Sequence, residues 1–147
     1  MAKQQRQFPY GDADETLVLA LGGESDRAIV LIAVEFISDA LEALIRLRIS
    51  KNGVGRALQD KLLSGSTTAP MYSIAMRTNF ARAFGLIGPK TFGALNNLRN
   101  MRNHCAHKTY VSLQDTDLQR DVRGLREFYG LRSTEDVDEC FKRMWEL

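Results

Sequence analysis

Between Asp60 and Asp115 the chain contains no aspartate or glutamate. That stretch holds Lys61, Arg77, Arg82, Lys90, Arg99, Arg102 and Lys108, a formal +7. This leaves 13 Lys and Arg against 18 acids, or −5, for the rest. A basic middle between acidic ends marks either an anion-binding face or a segment that packs against acids of its own chain or of a twin subunit. The overall charge of only +2 speaks against a domain dedicated to nucleic acid, which is usually more basic throughout. Cysteine is scarce as well. Cys105 and Cys140 are the only two, and they lack metal-ligand spacing, which excludes a disulfide framework and predicts reduced thiols in a cytoplasm. No apolar run approaches the ~20 residues that span a bilayer. Nor does the start, Met1 to Tyr10, carry the apolar core of a secretory signal, so a cytoplasmic protein with no membrane association is expected. Repeats, low-complexity tracts and strand-like alternation with hairpin turns are also lacking.

What remains reads as helices with short breaks. The 147 residues and 44% apolar content suit one core. Residues 1–11 are expected to be a flexible N-terminal tail, and 12–147 one all-α domain. A short helix is expected over 12–21, closed by Gly22-Gly23. The longest helix, over 24–50, should lie at the centre, because it is apolar nearly all round. Ile29, Ile32, Ala33, Phe36, Ala40, Leu44 and Leu47 keep the helical period, and Ile32, Phe36, Ala40 and Leu44 are expected to be buried. Its Glu42–Arg46 pair reads as ordinary helix-surface stabilisation. After Asn52-Gly53, further helices are expected over 54–63, 71–84, 89–107 and 115–129, with a terminal one from Ser133. Short connections make this a bundle of near-antiparallel helices.

The segment with chemistry in it is Leu98-Arg99-Asn100-Met101-Arg102-Asn103-His104-Cys105-Ala106-His107. An Arg fork can clamp a phosphate, and a His can move a proton near neutral pH; RNA cleavage needs both. On a regular helix Arg99, Asn103 and His107 share a face. Arg102 lies about 140° round from His107, so those two meet only at a helix end or with a second subunit. The plain structural alternative is that Arg and Asn bind helix-end carbonyls and that His favours a helix C-terminus. His104 and His107 have no third metal ligand nearby, so no metal is expected. No phosphate loop is present, and no cofactor is expected. Glu24-Ser25-Asp26-Arg27 reads either as an acidic, capped first turn or as a polar patch facing the Arg–His segment. In a regulator Arg102 is expected to be tied to a carboxylate among Glu24, Asp26, Glu35 and Asp39 or to helix-end carbonyls, whereas in a nuclease Arg102 and His107 are both expected to face an open groove.

Taken in order, Glu24-Ser25-Asp26-Arg27-Ala28, the apolar helix after it, Leu62-Leu63-Ser64-Gly65, Pro70 with Arg77, Phe84-Gly85-Leu86-Ile87 and the Leu98–His107 segment resemble the mannitol operon repressor (MtlR-like) family. The resemblance covers roughly residues 24–107 and rests on order and spacing. It implies a helical, non-enzymatic bacterial transcriptional regulator, a repressor of sugar-alcohol uptake or metabolism. Such a protein acts through a protein partner, such as another transcription regulator, and has no DNA-binding motif of its own. The contact candidates are Glu24, Asp26, Arg27, Arg77, Arg99, Arg102 and His107.

Arg102-Asn103-His104-Cys105-Ala106-His107 is also similar to the Arg-x4-His signature of HEPN domains, helical bundles that are often dimeric and many of which cut RNA. That resemblance implies the alternative, a metal-independent endoribonuclease or toxin with Arg102, Asn103 and His107 as its site. A homodimer is expected, and no sequence-specific DNA binding by the chain alone.

Overall fold

A computed structural model describes residues 24–128 and 130. Ser25 opens the first helix, α1 (Asp26–Lys51), by accepting a hydrogen bond from the Ala28 N–H at 3.3 Å. Asp26 sits in the first turn, where the helix dipole favours an acid. Asn52 ends α1, and Gly53 turns the chain at φ 78°, a left-handed conformation that glycine adopts without a Cβ clash. A short helix, α2 (Arg56–Leu63), follows. Next, α3 (Ile74–Ala83) is capped by Ser73, which accepts from the Met76 N–H at 3.3 Å. Gly85, at φ 67°, ends that turn. Pro89 starts α4 (Pro89–His107) in the first turn, where its missing N–H costs nothing. The last described helix is α5 (Gln119–Phe128). No strand occurs among the described residues, and helices make up 69% of the interpretable chain, so the expected all-α bundle holds.

The core follows α1 from end to end. Near its start Val30 packs with Met101 and Cys105 of α4 and with Leu118. In its middle Leu41 meets Ala81 of α3 and Leu95 of α4. Near its end Ile45 and Ile49 meet Leu63 and Met71. The start of α1 thus lies by the end of α4, and these two helices run antiparallel. So do α4 and α5, since Asn100 pairs with Asp121 and Asn97 lies against Gly124. A Cβ at position 124 would collide with the Asn97 amide, so the absence of a side chain there lets α5 approach closely.

Several boundaries and faces differ from expectation. The tail over 1–11, the helix over 12–21 and the helix from Ser133 lie outside the described residues. The buried face of α1 is Val30, Ala33, Val34, Ser38, Leu41, Ile45 and Ile49, whereas Ile32 and Phe36 are half-buried and Ala40 and Leu44 exposed. Both faces keep the helical period, so periodicity alone does not choose between them. The chosen face carries Ser38, which reads as polar in sequence but is bonded in the core. α3 begins at Ile74 and not near Met71, because the Met71 N–H is taken by the Leu62 carbonyl at 2.9 Å. α5 begins at Gln119 and not at Asp115. The Asp115 carboxylate instead accepts from the Ser112 N–H at 3.2 Å and closes a turn.

Candidate functional site

The last turns of α4 set out the Arg–Asn–His segment on a regular helix that continues through His107. Asn103, Ala106 and His107 are exposed, and Arg99 and Arg102 are half-buried. Spacing by four residues puts Arg99, Asn103 and His107 on one ridge. Arg102 lies on the flank of that ridge, about 140° from His107 at 3.6 residues per turn. Among the described residues, none of Arg99, Arg102, Asn103 and His107 makes a hydrogen bond or ion pair. The carboxylate expected for Arg102 is not supplied. Glu24, Glu35 and Asp39 are exposed, and Asp26 is engaged elsewhere.

The opening of α1 does reach this end of α4, but through the backbone. Arg27 Nε donates to the Cys105 carbonyl at 2.9 Å, which satisfies one of the orphan carbonyls of the last turns. Asp26 Oδ2 accepts from the Leu113 N–H at 2.8 Å and anchors the loop after α4. The capped first turn read from Glu24-Ser25-Asp26-Arg27 is seen, and among the described residues neither Glu24 nor Asp26 bonds a basic side chain of the Arg–His segment. Ser25 caps the helix, while Asp26 and Arg27 face the Arg–His segment and position its end. Cys105 is fully buried between these elements, and burial pushes its thiol pKa up, against the opposing charge of Arg27. A buried thiol with a raised pKa is a poor nucleophile.

On its other side α4 meets α5 through polar groups. Asn100 Nδ2 donates to the buried Asp121 carboxylate at 3.4 Å. The Nε2 atom of His104 is buried without a hydrogen-bond partner. Lys108 Nζ donates to Asp117 at 3.0 Å. That bond, then the Lys108 charge, and less so the nearby His104, hold the Asp117 carboxyl below its ordinary pKa.

A second polar cluster lies beside the middle of α1, around Arg77. This residue was a partner-contact candidate in sequence, and the structure removes it from that set, because it is 5% exposed. All five of its N–H donors are used inside the chain. Nε bonds the Met71 carbonyl at 3.0 Å. Nη1 bonds the Ser38 carbonyl at 3.1 Å and the Ser38 hydroxyl at 2.8 Å. Nη2 bonds Glu42 at 2.5 Å and the Leu63 carbonyl at 3.3 Å. Glu42 in turn takes Arg46 Nε at 2.9 Å, and Arg46 reaches Asp60 at 2.7 Å. The Glu42–Arg46 pair is therefore the middle of a chain of charges joining α1, α2 and α3. Burial alone would lower the Arg46 pKa, but bonds to Glu42 and Asp60 outweigh it and raise it.

Beside this network Arg46, Ser50, Val54, Arg56, Gln59 and Asp60 line an open depression. In its lining Arg46 is held by Glu42 through Nε and by Asp60 through Nη1, and Gln59 is bonded to the Val54 carbonyl. Among the described residues no three His, Cys, Asp or Glu side chains come together as metal ligands, and no helix is long and apolar enough to cross a membrane. No family model, curated protein or solved structure matches the chain. Among the described residues, the end of α4 sets arginine, amide and imidazole side chains without bonds of their own close together on one helix.

Proposed function

We propose that the chain is a non-enzymatic regulator of the mannitol operon repressor type, which acts in the cytoplasm as a homodimer through a protein partner and does not read DNA itself. Its contact surface is the end of α4, where Arg99, Asn103 and His107 form a ridge flanked by Arg102. One observation carries this reading. The ridge lies in a segment with no acid from Lys61 to Gln114, and its polar side chains make no bond among the described residues. A cationic ridge left without internal partners suits an acidic surface on another protein.

The ribonuclease reading is kept as a second one, since Arg102 and His107 make no bond among the described residues and are available for chemistry. Two facts weigh against it. The helix stays regular to His107, so the two side chains diverge by about 140° and one protomer does not bring both to one phosphate. Nor does any described carboxylate orient the His107 ring, as a general base requires for a fixed tautomer.

Incubation with total RNA separates the two. The regulator reading expects intact RNA with wild type and with His107→Ala alike. Cleavage by wild type that is lost in His107→Ala, with an unchanged melting temperature, transfers the function to the ribonuclease reading.

A further inference from the structure

Arg99 and Arg102 stand on neighbouring turns of α4, with Asn103 beside both. Residues three and four apart are neighbours on a helix surface, with Cβ atoms about 5–6 Å from each other, so these three side chains form a triangle. At 3.6 residues per turn the triangle lies on a different side of α4 from Asn97 and Asn100, which meet α5. Asn103 is exposed, both arginines are half-buried, and none of the three makes a bond among the described residues. Two ordinary uses of a helix arginine do not apply to them. A pair at helical spacing needs an acid, and α4 contains none. The helix dipole favours cations within the last turn, where His104 and His107 stand, and both arginines lie before it. The carboxylates that reach this end of the bundle are engaged elsewhere: Asp26 with the Leu113 N–H, Asp117 with Lys108 and Asp121 with Asn100.

We propose that Arg99 and Arg102, with the Asn103 amide, hold a phosphate monoester that the partner protein carries as a phosphoserine or phosphothreonine. The proposal rests on the reading that the chain meets a protein partner at this end of α4, and it names the group recognised there. Charge and shape select phosphate over carboxylate. A phosphorylated side chain carries close to two negative charges and matches two guanidinium groups, whereas one carboxylate matches one. A carboxylate offers two oxygens in one plane, which a single arginine fork fills. The three phosphate oxygens point in different directions, so forks from two successive turns and an amide each find an acceptor. A nucleic-acid strand carries one charge on each phosphate and is tracked by cations spread along a groove. Here the next Lys or Arg along the chain, Lys108, is tied to Asp117.

The test is a titration of the full chain into a short fluorescein-labelled peptide of Gly, Ala and Ser with one central phosphoserine. Twin peptides carry Ser or Glu at that position. The phosphoserine peptide is expected to bind at least about tenfold more tightly than either twin, and the preference should shrink with salt. The double variant Arg99→Gln/Arg102→Gln should bring the phosphoserine peptide down to the level of the Ser twin. Its melting temperature should stay that of wild type, because neither arginine makes a bond among the described residues. Arg99→Lys/Arg102→Lys keeps the charge but loses both forks, and should recover only part of the binding.

Absent binding, or binding unchanged in the Gln double variant, overturns the proposal. A Glu twin that binds as tightly as the phosphoserine peptide also overturns it and makes the surface one for carboxylates, which leaves the protein-partner reading standing. Inorganic phosphate that binds as tightly as the peptide removes the partner protein as the source. Binding seen only in the full-length variant Glu135→Gln/Asp136→Asn/Asp138→Asn/Glu139→Gln assigns the two arginines to the chain's own acids. Tighter binding of a single-stranded RNA oligonucleotide, lost in the Gln double variant, assigns them to nucleic acid. The non-enzymatic reading is judged on cleavage of total RNA and the phosphate site on peptide binding, so the two fail separately.

Discussion

Arg77 and Arg102 are both arginines on helices of the acid-free stretch, and the fold treats them in opposite ways. Arg77 points inward beside the middle of α1 and spends every donor on α1, Leu63 and Met71. Arg102 lies near the end of α4 and makes no bond among the described residues, and His107 close by makes none either. The first region shows what holding a bundle together demands of an arginine: one carbonyl of a connecting segment, a hydroxyl, two helix carbonyls and a carboxylate, all placed at once. The second lacks every one of those partners. The two regions divide construction of the fold from contact with something outside it.

Substitution at Arg77 should have the largest effect. Arg77→Met strands the Ser38 hydroxyl and the Leu63 and Met71 carbonyls and removes one of the two cations on Glu42. A loss of ~3–5 kcal/mol in urea unfolding is expected, the usual result of breaking a buried pair. Arg77→Lys should recover only part of it, since an ammonium has three donors and no planar fork. A loss under about 1 kcal/mol for Arg77→Met would erase the contrast between the two regions.

The next effect tests which side of α1 faces the core. Ile45→Ala should cost ~2–5 kcal/mol, because the side chain is fully buried and leaves a cavity. Leu47→Ala, two residues on and 56% exposed, should stay within about 0.5 kcal/mol of wild type. Equal losses would mean that the second apolar face of α1 is covered.

A smaller effect concerns the loop after α4. The folded pKa of Asp117 lies below the ordinary 3.8, first because of the Lys108 hydrogen bond. A depressed carboxylate stabilises the fold above its unfolded pKa, and that contribution is lost as pH falls through the folded value. Asp117 is exposed, so the contribution to stability is slight. The side chain should nevertheless titrate lower in wild type than in Lys108→Ala when followed by NMR. No difference would show that the Lys108–Asp117 contact does not persist in solution.

Much of this was legible in the sequence, for identifiable reasons. The helix over 89–107 is legible because Pro89 starts it and Phe92, Leu95, Leu98, Met101 and Cys105 follow the helical period as one apolar row. α1 was recognised as central for its continuous apolarity, yet its core face was misassigned. Two apolar rows share that helix, and the deciding residue, Ser38, is polar in sequence and buried only because Arg77 bonds it. Arg77 was singled out for the wrong reason. Sequence shows an arginine among Ile74, Thr78 and Ala81, but not that Ser38, Glu42, Leu63 and Met71 converge on it from distant positions. The expected carboxylate for Arg102 failed for the same cause. Pairing between segments depends on helix rotation, which local patterns do not encode. Asp26 and Arg27 do reach the end of α4 and the loop after it, but through backbone groups that residue patterns do not single out.

The separation of the two regions is tested most directly by the unfolding free energy of Arg102→Ala/His107→Ala, measured in urea beside wild type. Neither side chain holds a bond among the described residues, so the double variant should lie within about 0.5 kcal/mol of wild type. A loss of ~3 kcal/mol or more, the scale of a broken buried pair, would show that the end of α4 is tied into the bundle after all and is not free to meet a partner.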